Sequence, residues 1–145
     1  MSWPTPHQGL VIRYLYLWER EAREGREEGT KDRPCAVILV LLRDVEPPIV
    51  RVLPITHSLP QDARGALEIP PETKRRLGLD SERSWVVLDE ANDFIWPGPD
   101  LRPVLHGDPA SAFYGVLPPG FMQILRERLQ QRRREIRETV VRRSE

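Results

Sequence analysis

Arg33 and Thr56 are the residues from which a chemistry can be built. They bracket the stretch 33–58, RPCAVILVLLRDVEPPIVRVLPITHS. An apolar run to Leu42, a turn at Glu46-Pro47-Pro48 and a return through residues 49–53 predict a β-hairpin closed by Pro54-Ile55-Thr56-His57-Ser58. In an antiparallel pair the start of one strand meets the end of its partner, which sets Arg33 beside the hydroxyls of Thr56 and Ser58. A permanently charged guanidinium next to hydroxyl donors, on the rim of a small sheet, suits the gripping of a phosphate. The same pattern also fits a solvated strand-end charge and a turn threonine, and the residues alone leave both readings open.

The elements that must position this pair can be read in order. Residues 1–8 form a lead-in. Residues 9–18, GLVIRYLYLW, are β-branched and aromatic and predict a strand, with Tyr14, Tyr16 and Trp18 on one face and Leu15 and Leu17 on the other. Both faces are apolar, as expected in a small barrel or a sheet covered on two sides. Residues 19–32 are almost wholly charged and contain Gly25 and Gly29, which predicts a loop whose first part can coil into a short helix. After the hairpin, residues 66–70 alternate like a short strand, and 71–78 carry Pro at the start, basic residues in the last turn and Gly at the stop of a short helix. Residues 84–89 predict a strand, continued after a bend by 90–96. Residues 97–103, PGPDLRP, predict a rigid loop, and 113–117 a last strand. A C-terminal helix over 118–137 follows, with Phe121, Leu125 and Leu129 on one stripe and Met122 beside it, and 138–145 form a solvated or partner-contacting tail.

This is one mainly β domain spanning 1–145, with its β core over 9–117. At 145 residues the chain can bury a core without cross-links, and its one cysteine, Cys35, excludes an internal disulfide framework and a cysteine-rich zinc site. Twenty-two basic residues balance 22 acidic ones, which argues against coating nucleic acid through bulk charge but leaves room for a local basic site. No run of about 18 apolar residues is present, so no membrane span is expected. The N-terminal MSWPTPHQG lacks a basic and an apolar targeting region, which reads as cytoplasmic. His7 and His106 show no metal-site spacing, and no cofactor or metal is expected.

The order of signals resembles the PemK/MazF family of toxins from bacterial toxin–antitoxin pairs. A strand opening at a glycine, a charged loop, Arg33-Pro34, the Pro54-Ile55-Thr56-His57-Ser58 element, a strand ending in Val-Leu-Asp and a Gly-Val-Leu before a terminal helix carry the likeness over residues 9–134. The resemblance implies an SH3-like β-barrel with a C-terminal helix, a homodimer, and metal-independent cleavage of single-stranded RNA, held in check by a cognate antitoxin protein. It implies that Arg33 and Thr56 carry the chemistry, with an acidic residue of the preceding loop, here Glu28, contributing. The chain departs from the commoner pattern at His57, in the charge of residues 19–32, and in segments 71–79 and 97–103, which look like insertions.

Metal-free RNA cleavage uses the ribose 2′-hydroxyl as nucleophile, so a base, an acid and a stabiliser of phosphate charge are needed. Arg33 fits the last role, Thr56 a hydrogen-bond donor to the same phosphate, and Ser58 an assistant or a turn former. Glu28 and His57 are the candidates for the base. A side chain next to Thr56 in an extended segment points to the opposite side, which favours a structural or RNA-contacting role for His57. Trp18, Phe94 and Trp96 are available for stacking unpaired bases, and Trp96, beside Pro97-Gly98, is the candidate exposed platform. Trp85 reads as core. Two other readings stand beside the enzyme: a non-catalytic toxin on the same fold that poisons a protein such as DNA gyrase through its terminal helix, and a family member that keeps the fold without activity.

Overall fold

The computed structural model describes residues 3–26, 29, 31–105 and 113–143. In chain order the elements are β1 (Leu10–Tyr14), α1 (Glu19–Arg23), β2 (Arg33–Leu41), β3 (Ile49–Thr56), a 3-10 turn (Ala63–Gly65), β4 (Ala66–Glu68), α2 (Pro71–Arg76), β5 (Trp85–Val87), β6 (Glu90–Ile95), β7 (Leu101–Arg102), β8 (Phe113–Val116), α3 (Pro119–Glu135) and β9 (Thr139–Arg142). The architecture is mainly β. Along the main path the strands run β4-β5-β3-β2-β1-β7, with β8 also on β1, and β6 bridging β3 and β9. Among the described residues this ladder branches and does not return on itself to close a barrel.

The branch point follows from the sequence of β3. Its residues Ile49 to Val52 pair with β6, whereas Ile55 and Thr56 pair with β5. The exchange of partners falls around Pro54, the one residue of the strand with no N–H to give to a neighbour. A proline that would weaken a continuous central strand is thus placed where two partners divide the edge between them.

Period-two alternation distributes the strands between two cores. Val11, Ala36, Leu53, Ile55 and Val86 pack under Phe121, Leu125 and Leu129 of α3. Leu10, Ile12, Tyr14, Cys35, Val37, Val50, Val52 and Phe94 form the second core on the opposite face. The apolar stripe expected on the C-terminal helix is therefore the stripe that is buried, Trp85 is core as expected, and Cys35 is fully buried. Burial also pushes the Cys35 thiol up, away from reactive thiolate.

Three expectations need correction. Trp96 is only 6% exposed, packs on Phe94 and Phe113, and donates its indole N–H to the Pro4 carbonyl at 2.9 Å, so it is no exposed platform. The alternation Asn92, Phe94, Trp96 carries it into the second core. Within 97–103, Leu101 and Arg102 form β7 on β1. Within the 138–145 tail, the described residues 138–143 are not free: β9 lies parallel to β6, and Arg143 is buried at the end of it.

Candidate functional site

Arg33 opens β2 and pairs with Tyr14 of β1. On its other side the β2–β3 pairing ends at Cys35 opposite Pro54, two residues short of Arg33 and of Thr56, and Thr56 pairs instead with Trp85 of β5. The two strand ends, Arg33 and Thr56, lie at the same end of the hairpin. Both residues line a groove of about 670 Å³, together with Trp18, Lys31, Asp89 and Arg132. His57 and Ser58 border it as well.

The Arg33 side chain has an unusual setting. Its Nε is buried and has no hydrogen-bond partner, and no described residue forms an ion pair with it. What it does meet is the face of Trp18, with Cζ 4.9 Å from the ring centroid. Arg20 leans on the same indole at 5.3 Å. Arg20, Lys31 and Arg33 give one wall of the groove an excess of positive charge, although the chain as a whole is neutral.

Thr56 ends β3, and its Oγ1 accepts the Ser58 N–H at 3.1 Å. The hydroxyl oxygen is used in the turn, which leaves the hydroxyl hydrogen to be donated. Ser58 shapes this turn through its backbone. His57 is placed differently from the expectation of strict alternation, because the strand stops at Thr56 and the chain bends at His57 and Ser58. Its Nε2 lies 2.8 Å from Asp80 and its Nδ1 3.7 Å from Glu82. His57 thus docks that loop through Nε2, while its Nδ1 lies beyond hydrogen-bond distance of Glu82. Glu28 lies outside the described residues.

The Asp80 end of this contact is itself anchored. Lys74, buried in α2, donates to Asp80 Oδ1 at 2.7 Å and to the Glu82 carbonyl, and Glu82 N–H donates to the same oxygen at 3.1 Å. The Lys74 ammonium holds the Asp80 carboxyl below the usual range, with His57 adding a smaller effect of the same sign. His57, Asp80 and Glu82 also offer ligand atoms within 4.8 Å of one another, the only group of this kind among the described residues. All three are exposed, and Lys74 already compensates Asp80.

Opposite, on the far wall of the groove, lies a charged network that has no local signature in the sequence. Arg132 of α3 is buried and donates Nε and Nη2 to Asp89 at 2.8 and 3.1 Å, and Nη1 to Asp62 and Glu135 at 3.3 Å each. The Asp89 carboxylate in turn raises the Arg132 pKa. Asp62 also accepts from Arg64, first among the contacts that lower its pKa to about 2. Gly65 makes room for this arrangement, since a Cβ there sits 2.7 Å from Asp89 Oδ2. Gly65→Ala is expected to displace Asp89 from Arg132 and to destabilise the fold by about 1–3 kcal/mol, read by urea denaturation. Unchanged stability contradicts this role for the glycine.

No helix among the described residues is long and apolar enough to cross a membrane. Compared with known proteins, the chain matches no family model and has no significant match to a curated protein.

Proposed function

We propose that the protein is a metal-independent endoribonuclease of the PemK/MazF toxin type, acting on single-stranded RNA and neutralised by a partner antitoxin. The observation that carries this reading is that Arg33, with no counter-ion among the described residues, lines one open groove together with Thr56. In this reading the open nine-stranded sheet with α3 against one face takes the place of the SH3-like barrel of that type, and the protein works in the cytoplasm as a homodimer.

In the proposed reaction the ribose 2′-oxygen attacks the adjacent phosphorus while the bond to the 5′-oxygen breaks. The 2′-hydroxyl proton passes to a base, and a proton is delivered to the departing 5′-oxygen, leaving a 2′,3′-cyclic phosphate and a 5′-hydroxyl. Arg33 binds the non-bridging oxygens as their charge grows, and Thr56 donates one hydrogen bond to the same phosphate. His57, held by Asp80 through Nε2, is not assigned the base, and Glu28 keeps that role in the proposal.

The reading of a non-catalytic toxin working through its terminal helix has less to support it. The apolar stripe of α3 faces the core, and Arg132 is committed to Asp89. Incubation of the purified protein with a long single-stranded RNA in EDTA tests the choice. Discrete fragments are expected, and Thr56→Val is expected to slow their formation by about 100-fold. Intact RNA from folded protein that still arrests growth overturns the ribonuclease reading and directs the search to a protein target.

A further inference from the structure

We propose that Trp18 is a positioning residue for Arg33, its indole face fixing the guanidinium so that its Nη groups point into the groove. The inference rests on the ribonuclease reading above. Among the described residues no polar group orients Arg33 through Nε, and the closest restraint on its guanidinium plane is the ring at 4.9 Å.

An aromatic face is the appropriate support for a phosphate-binding arginine. A carboxylate in the same place neutralises the cation and occupies the N–H groups that a phosphate needs. A ring attracts the charge through its quadrupole and leaves those donors free. This explains how Arg33 can be partly buried and still have no counter-ion among the described residues.

Trp18 is itself held in place. Its backbone N–H donates to Glu21 Oε1 at 3.1 Å, at the start of α1. Its ring meets Tyr16 edge-on at 5.1 Å, and Tyr16 is buried with its hydroxyl donated to Glu90 at 3.1 Å. The chain of contacts runs from the second core through Tyr16 and Trp18 to Arg33. Arg20, on the same indole, brings a second cation to the groove from α1.

The test uses the full chain and its variants Trp18→Leu, Trp18→Phe, Arg33→Ala and the Trp18→Leu/Arg33→Ala double variant. Trp18→Leu is expected to lower kcat for RNA cleavage about tenfold while KM moves less than about twofold. Trp18→Phe is expected to restore kcat to within about threefold of wild type. In the Arg33→Ala background, Trp18→Leu causes no further loss. A raised KM with unchanged kcat, or an equal loss in both backgrounds, overturns the proposal in favour of base stacking or a general structural role. If wild type does not cleave RNA, the ribonuclease reading fails, and nitrogen-15 relaxation of the Arg33 Nε–H still decides the positioning. An ordered Nε–H in wild type that becomes mobile in Trp18→Leu supports it, and equal order in both overturns it. Should Trp18→Leu not fold, Trp18→Met carries the same comparisons.

Discussion

Arg33→Ala is expected to lower kcat for RNA cleavage by about 100- to 1,000-fold, with a smaller change in KM. The expectation follows from the way the groove is charged. The carboxylates of the far wall, Asp62 and Asp89, are occupied by Arg64 and Arg132, whereas Arg33 has no counter-ion among the described residues. Its removal therefore takes away a groove-lining cation that shares the groove with Thr56 and breaks no ion pair of the described fold. The thermal midpoint should stay close to wild type, which separates a chemical role from a structural one. Arg33→Lys should recover little, because an ammonium cannot bridge two phosphate oxygens in one plane and stacks less well on Trp18. A variant as active as wild type removes Arg33 from the chemistry.

Arg143→Ala is expected to destabilise the fold by about 3–5 kcal/mol, the cost of leaving a buried charge without its partner. The Arg143 side chain is 1% exposed and meets the Asp100 carboxylate, itself 10% exposed. It also donates to the Leu15 carbonyl at 2.8 Å, to Asn92 Oδ1 at 3.1 Å and to the Tyr14 hydroxyl at 3.2 Å. Asn92 is fully buried and spans the same region, accepting from Leu17 N–H and donating to the Leu17 carbonyl. One guanidinium thus ties the C-terminal strand to β1, β6 and the 97–103 segment. Urea denaturation of the full chain measures the loss, and the pairing with Asp100 is isolated by a cycle with Asp100→Ala. Strict additivity in that cycle contradicts a direct pair.

The contrast between these residues shows what the chain discloses about itself. Arg33 and Thr56 come to line one groove because a hairpin is local, and a turn with two strands of known parity suffices to bring their ends to the same side of the sheet. The stripe Phe121, Leu125, Leu129 was legible for a related reason, since helical spacing is also local. Arg143 meets Asp100 across 43 residues of sequence, and β9 pairs in parallel with a strand far upstream. Neither pairing leaves a periodic trace, and the charged setting of 130–145 reads as solvated. The Arg132 network is hidden in the same way, since its partners Asp89 and Asp62 lie in loops.

Trp96 and Trp18 are a pair of instructive reversals. Trp96 looked exposed because Pro97 and Gly98 follow it, yet its parity with Phe94 points inward. Trp18 looked like the end of an aromatic strand face, yet β1 stops at Tyr14 and leaves the indole at the rim, under Arg33. His57 departs from simple alternation because the chain bends after Thr56, which lets Asp80 capture the ring.

The most direct test of the central account compares two RNAs that differ at one cleavage site, one with a normal ribose and one with a 2′-O-methyl group 5′ to the cleaved bond. The account predicts that the first is cut in EDTA to a 2′,3′-cyclic phosphate and a 5′-hydroxyl, and that the second is left intact at that site. Equal cutting of both, or fragments ending in a 3′-hydroxyl, would contradict attack by the 2′-oxygen and with it the role proposed for Arg33 and Thr56.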